Sequence, residues 1–240
     1  MTAPATAYCG TPAIPAEVWT SWNLDPVVIL ALGGVAVTCR LRAKGTARRA
    51  GFAAVAVLAV IFLSPLCAIG AALFSARVVH HVLLIAVAAP LLALAFPARR
   101  SMPLGALVVV NVVVLWLWHV PAVYTSAIGL VAGYWLMQAS LLGAALALWR
   151  EVLRPASDPG AGIAALLAMV AQMGLLGALI AFAPQALYPT HAFTTEIWGF
   201  SPLEDQQLAG LIMWVPAIVP YLAAALALGM GRLFPPEPAR

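Results

Sequence analysis

The residues of this chain best equipped for chemistry are its four histidines. His80 and His81 open one apolar run. His119 closes another, within Trp118-His119-Val120-Pro121-Ala122-Val123-Tyr124, and His191 lies in the longest polar stretch. Imidazole is the usual ligand for copper, zinc and iron. Adjacent helical positions point about 100° apart. His80 and His81 are therefore expected to divide, one facing the bundle and the other capping a helix or meeting headgroups. The alternative for each imidazole alone is a hydrogen-bonded structural role. Met213 carries a soft thioether suited to Cu(I) and shares a helical face with Gln206 and Gly210; simple packing is its alternative role. Gly210 would let a partner helix approach. Asp205 is expected either to accept a hydrogen bond from a liganding imidazole or to interact with the helix N-terminus. Asn111, Gln138 and Gln172 fall inside apolar runs and need partners there, which predicts interhelical hydrogen bonds. Cys9, Cys39 and Cys67 form no closely spaced metal pair. Cys9 and Cys67 could form a disulfide if both face an oxidising compartment; otherwise all three are thiols. There is no H-E-x-x-H, Gly-rich phosphate loop or Ser/His/Asp set, so no enzyme is expected.

The elements that position these groups are membrane helices. Of the 240 residues 64% are hydrophobic and 8% charged, against roughly 25% charged in soluble domains. Runs of about 20 apolar residues mark spans. They are predicted over 26–41, 52–73, 78–96, 104–124, 129–149, 161–184 and 205–231, giving an all-α polytopic bundle of seven transmembrane helices. Eleven of the 12 Lys and Arg residues fall in loops or tails on one side, and Arg77 alone on the other. By the positive-inside rule the N-terminus is outside and the C-terminus cytoplasmic. All four histidines then face the outer side. The net charge of +4 reads as topology and contact with anionic membrane lipid, not nucleic-acid binding. The expected layout is an external tail over 1–18 without a signal peptide, a transmembrane domain over 19–232 and a cytoplasmic tail over 233–240. Trp19, Trp22, Trp118, Trp149 and Trp198 are expected in interfacial belts. Ser201-Pro202-Leu203-Glu204 reads as a capping box that starts the last helix.

Several motifs together resemble the CtaG family of bacterial cytochrome c oxidase (caa3-type) assembly factors. They are Trp22-Asn23-Leu24-Asp25-Pro26, Ser64-Pro65-Leu66, Phe74-Ser75-Ala76-Arg77-Val78-Val79-His80-His81 with Ala89-Pro90-Leu91-Leu92, Trp118-His119-x-Pro121-x-x-Tyr124, and Asp205-Gln206-Gln207-Leu208-Ala209-Gly210-Leu211-Ile212-Met213-Trp214. The resemblance covers about residues 19–232. It implies a multi-pass plasma (inner) membrane protein that helps mature a haem-copper oxidase, with oxidase subunits as partners and copper handled at the outer face. It points to His81, His119, Asp205 and Met213, with His81 preferred over His80. Family members often carry histidines where this chain has Gln138 and Gln172; glutamine keeps an amide but is a poor copper ligand. The lead reading is a Cu(I) ion held weakly by His81, His119 and Met213, with His80 in reserve and Asp205, Gln206, Gln138 and Gln172 around them. The alternatives are a metal-free membrane scaffold for oxidase subunits and, ranked lower, a b-type haem protein with His80 or His81 and His119 as axial ligands.

Overall fold

The computed structural model describes residues 8–98 and 100–233. Arg99 and the ends of both expected tails lie outside the described residues. Every long element is a helix. Helix α1 (Pro26–Arg42) starts on Pro26, with the Asp25 carboxylate accepting from the Val27 N–H at 2.7 Å. This is an N-cap followed by Pro at the first helical position. Helix α2 (Gly45–Phe62) ends where Asn23 reaches back: its side-chain amide donates to the Phe62 carbonyl at 3.1 Å, and its backbone N–H to Leu63 at 3.0 Å.

The expected second span over 52–73 is a correction. Ser64-Pro65 divides it into α2 and a short α3 (Leu66–Ala72), because the hydroxyl of Ser64 takes up the Val60 carbonyl and Pro65 brings no N–H.

Helix α4 (Phe74–Ala95) is the centre of the bundle. About 61% of its apolar window is buried, against 22–39% for the other four long apolar helices. Its middle, Leu83–Ala88, is π-helical, with Ala89 N–H donating to Leu84 carbonyl. The next π bond in that series would run from residue 90 to Ile85, but Pro90 has no N–H. The Trp149 indole supplies the missing donor to Ile85 at 3.0 Å. Trp149 is therefore buried and not in an interfacial belt. Trp118 is buried too, with its indole donating to Ser140 at 2.8 Å; Trp19 and Trp22 are exposed.

The expected fourth span bends. Helix α5 (Leu104–His119) and helix α6 (Pro121–Ile128) meet at 77°, since Val120 adopts extended backbone ahead of Pro121. Helix α7 (Val131–Val152) and helix α8 (Pro159–Ala181) follow; the Asp158 carboxylate caps the latter. Helix α9 (Pro202–Trp214) opens with the expected capping box between Ser201 and Glu204. A 3₁₀ turn at Pro216–Ile218 joins it to α10 (Val219–Leu233). Helices α8 and α9 touch backbone to backbone: a Cβ built on Gly210 would lie 2.5 Å from the Ala181 nitrogen. Gly210 thus allows the close approach expected of it.

Among the described residues five helices are long and apolar enough to cross a membrane, α9 and α10 together counting as one, and the bent α5–α6 pair raises the number to six. The segment before α1 packs on the bundle. Cys9 is disulfide-bonded to Cys67, with Cα atoms 5.2 Å apart, and Tyr8 stacks on Tyr134. Cys39 is a free buried thiol.

Candidate functional site

The site forms where the start of α4 meets α7 and the end of α5. Asp205 of α9 sets the start of α4. Its buried carboxylate accepts from the N–H of Phe74 at 2.7 Å, from the N–H of Ser75 at 3.2 Å and from the Ser75 hydroxyl. Two of the unpaired donors of the first turn are satisfied this way, next to the positive end of the helix. Asp205 lies in the first turn of α9, and the contact with a helix N-terminus expected of it is made to the neighbouring α4.

Within two turns α4 presents Arg77, His80 and His81, all at most 3% exposed. The expected split of the histidines does not occur, because α4 is covered on more than one side. His80 lies edge-on to Phe62 and Tyr134. His81 faces α7 and α5, with its Nε2 3.3 Å from the Gln138 amide nitrogen and its ring centre 6.3 Å from that of His119. The two adjacent imidazoles are themselves 5.8 Å apart, centre to centre.

His119 is held differently. Its Nδ1 is 2.7 Å from the Leu115 carbonyl. A carbonyl only accepts, so Nδ1 carries the proton and Nε2 keeps its lone pair. This is the arrangement in which a histidine presents one nitrogen to a metal while the other is anchored. The anchoring carbonyl is four residues earlier on the same helix, so the tautomer is set locally.

The cluster is unusual for what it leaves unpaired. Among the described residues eight buried side-chain N or O atoms have no hydrogen-bond partner, and six belong here: Nε and Nη1 of Arg77, both nitrogens of His80, Nδ1 of His81 and Oε1 of Gln138. Buried polar atoms are nearly always paired, and exceptions mark functional sites or bound species. Turning the Gln138 amide over exchanges the bare atoms without removing them.

The remaining candidates serve as supports. The Gln206 side chain accepts from Leu187 N–H and donates to the carbonyls of Ile180 at 3.2 Å and Gln185 at 3.3 Å. It fastens the long loop to α9. Gln172 is half-buried and accepts from the Trp116 indole at 3.1 Å; Asn111 donates to Leu107 and to Ala144 of α7, each at 2.9 Å. The expected interhelical hydrogen bonds are thus present. Met213 is buried on α9. No set of three or more His, Cys, Asp or Glu side chains among the described residues is placed to hold a metal ion. The structure brings His80, His81, His119 and Gln138 together and gives Gln172, Gln206 and Asp205 other partners.

His191, expected in an outer loop, is buried. Its Nδ1–H donates to Ala72 at 3.3 Å and its Nε2 accepts from the Tyr124 hydroxyl at 2.8 Å. Burial pushes its imidazole down to about 4. Tyr188 donates to the His119 carbonyl at 2.9 Å and stacks on Phe74, so the loop closes over the site.

The comparison that decides the family is a match to the profile of cytochrome c oxidase caa3 assembly factors (Caa3_CtaG) over residues 34–232. The chain belongs to that family. The match runs from α1 to the end of α10 and includes every residue of the cluster. Membership and the apolar helices together make this assembly factor a membrane protein associated with cytochrome c oxidase maturation. A search of curated proteins and a search of solved structures each found no match.

Sequence reasoning missed Arg77 as part of the cluster and treated it as a loop charge. Its position three residues before His80, on the same helical face, was the available signal.

Proposed function

We propose that this assembly factor handles Cu(I) for cytochrome c oxidase at the outer face of the plasma membrane. Copper is cargo here, not a resident cofactor. The reading makes α1, 17 residues long, the first of seven spans, with the N-terminus outside. The eleven-to-one distribution of basic residues supports that orientation, and so does the Cys9–Cys67 disulfide, which belongs in an oxidising compartment.

The observation that carries the copper reading is the pairing of His119, its Nε2 lone pair presented by the Leu115 carbonyl, with His81, whose Nδ1 is bare. The ring centres are 6.3 Å apart. Two metal–nitrogen bonds of about 2 Å and a nitrogen-to-centre distance of about 1 Å in each ring span about 6 Å. With its amide turned over, Gln138 would accept from Nε2–H of His81 and leave Nδ1 as the ligand, the supporting role expected of it. His80 is the adjacent imidazole to which an ion could move. Met213, on the helix whose Asp205 sets α4, is the candidate soft ligand. Two nitrogens and a thioether would bind Cu(I) loosely enough for transfer by ligand exchange. Replacing His119 by Ala should lower the copper content and activity of the oxidase in membranes while the assembly factor is still inserted. Unchanged oxidase copper and activity in H119A would remove His119 from the reading.

One observation favours the metal-free scaffold: Gln138 already engages His81, and no third His, Cys, Asp or Glu joins the pair among the described residues. On that reading oxidase subunits copurify equally well after all four histidines are replaced.

A further inference from the structure

Arg77 is 1% exposed, yet among the described residues no carboxylate lies within ion-pair distance of it, and the one salt bridge is Arg154–Glu151. A guanidinium does not lose its proton inside a protein, so a full positive charge is buried without a counter-charge. Asp205, a buried acid on the packed helix α9, is committed to the start of α4. What surrounds Arg77 is neutral. Its Cζ lies 5.3 Å from the centre of the Tyr134 ring, Nη2 is 3.9 Å from the Cys9 sulfur, and the phenol groups of Tyr124 and Tyr134 interact with the guanidinium without carrying a counter-charge. A Cβ on Gly70 would come within 3.3 Å of Cζ, so the absence of a side chain there is what lets the guanidinium lie against α3. Among the described residues Nε and Nη1 have no hydrogen-bond acceptor, and neither nitrogen of His80, one turn further along α4, has a hydrogen-bond partner. Isolated intramembrane charges of this kind usually pair with something. Anions that accept from guanidinium N–H groups do so with stronger bonds than neutral acceptors.

We propose that Arg77 and His80 form a seat for one small monoanion of halide type, beneath the Cys9–Cys67 disulfide. The guanidinium supplies charge and bare N–H donors, and the protonated nitrogen of His80 supplies a further donor. The seat does not depend on copper. If copper is loaded at His81 and His119, an anion on Arg77 removes the bare positive charge that would otherwise repel it.

The test uses the full chain purified in detergent, with bromide as the probe. Thermal stability is titrated with sodium bromide against sodium gluconate at constant ionic strength. The seat predicts a saturable rise in Tm with bromide alone, an apparent affinity at least tenfold weaker in R77Q, a smaller weakening in H80Q and wild-type behaviour in R150Q. No saturable effect in the wild type, or an equal effect in R77Q, overturns the proposal. If R77Q does not fold, bromide-soaked crystals of the wild type decide the matter. An anomalous peak within hydrogen-bond reach of Arg77 supports the seat, and occupied bromide sites elsewhere with none at Arg77 refute it.

Discussion

The two ends of helix α7 make opposite use of buried polar side chains. Near its start, Gln138 meets His81 in a cluster that leaves six atoms bare. Near its end, the Glu151 carboxylate accepts from Arg154 at 2.7 and 3.0 Å, from the Ser101 hydroxyl at 3.2 Å and from the Met102 N–H at 3.1 Å. Arg150 Nε is the one bare buried side-chain atom near that end among the described residues. The paired end joins α7 to the segment before α5, and the Glu151 bonds to Ser101 and Met102 have that structural role. The bare end gains nothing in stability from its polarity, since unpaired buried polar groups are destabilising. Residues kept at such a cost are where function is to be sought.

The scaffold around the bare end sets the largest expected effects. Breaking the Cys9–Cys67 crosslink with C67S frees a loop spanning 58 residues, and chain entropy predicts a loss of about 4 kcal/mol. Chemical denaturation of C67S against wild type would measure it, and reductant should reproduce the loss in the wild type.

The next effect concerns His191, which anchors the loop covering the site. Its folded-state value of about 4 lies below the ordinary 6.5, so the unfolded chain takes up the proton first. The stability due to neutral His191 is complete above about pH 6.5, declines as pH falls, and is gone near pH 4, a loss of roughly 3 kcal/mol. Thermal melts between pH 7.5 and 4 should show this slope, and H191Q should flatten it.

Third, G210A forces a Cβ to within 2.5 Å of the Ala181 backbone. Separating α8 from α9 should cost about 2 kcal/mol, visible as a lower Tm in detergent.

One variant at each end of α7 compares the two ends directly. E151Q removes a paired carboxylate and should cost about 1 kcal/mol, with Arg154 partly exposed and screened; oxidase maturation should be unaffected. H80L removes two bare nitrogens and should leave stability unchanged to within about 1 kcal/mol, yet lower the amount of active oxidase. Parallel melts and oxidase assays on the two variants would check this. A large stability loss in H80L would show that the bare atoms are structural after all.

The sequence revealed what is encoded locally. The capping box at Ser201, the start of α1 at Asp25-Pro26, the need for a small residue at Gly210 and the pairing requirements of Asn111 and Gln172 all follow from a few neighbouring residues. Features set by tertiary cover were not legible. His80 and His81 are both buried because α4 lies at the centre of the bundle, and periodicity cannot show that. Arg77 counted as a loop charge, because the space for it is made by Gly70 on another helix. Trp149 looked like an interfacial residue, whereas the Ile85 carbonyl left unpaired by Pro90 draws it inward. The bend at Pro121 had a local cause, but its 77° angle depends on how α6 packs against α7. In the site itself the histidine side chains were visible as candidates; their spacing and missing partners were not.

Whether the bare end of α7 binds copper and the paired end does not can be read from metal analysis of purified protein reconstituted with Cu(I). The comparison is wild type, the H81A/H119A double variant and the E151Q control. One copper per chain is expected in wild type and in E151Q, and none in the double variant. Copper-free wild type, or copper retained in full by H81A/H119A, would contradict copper binding at the bare end.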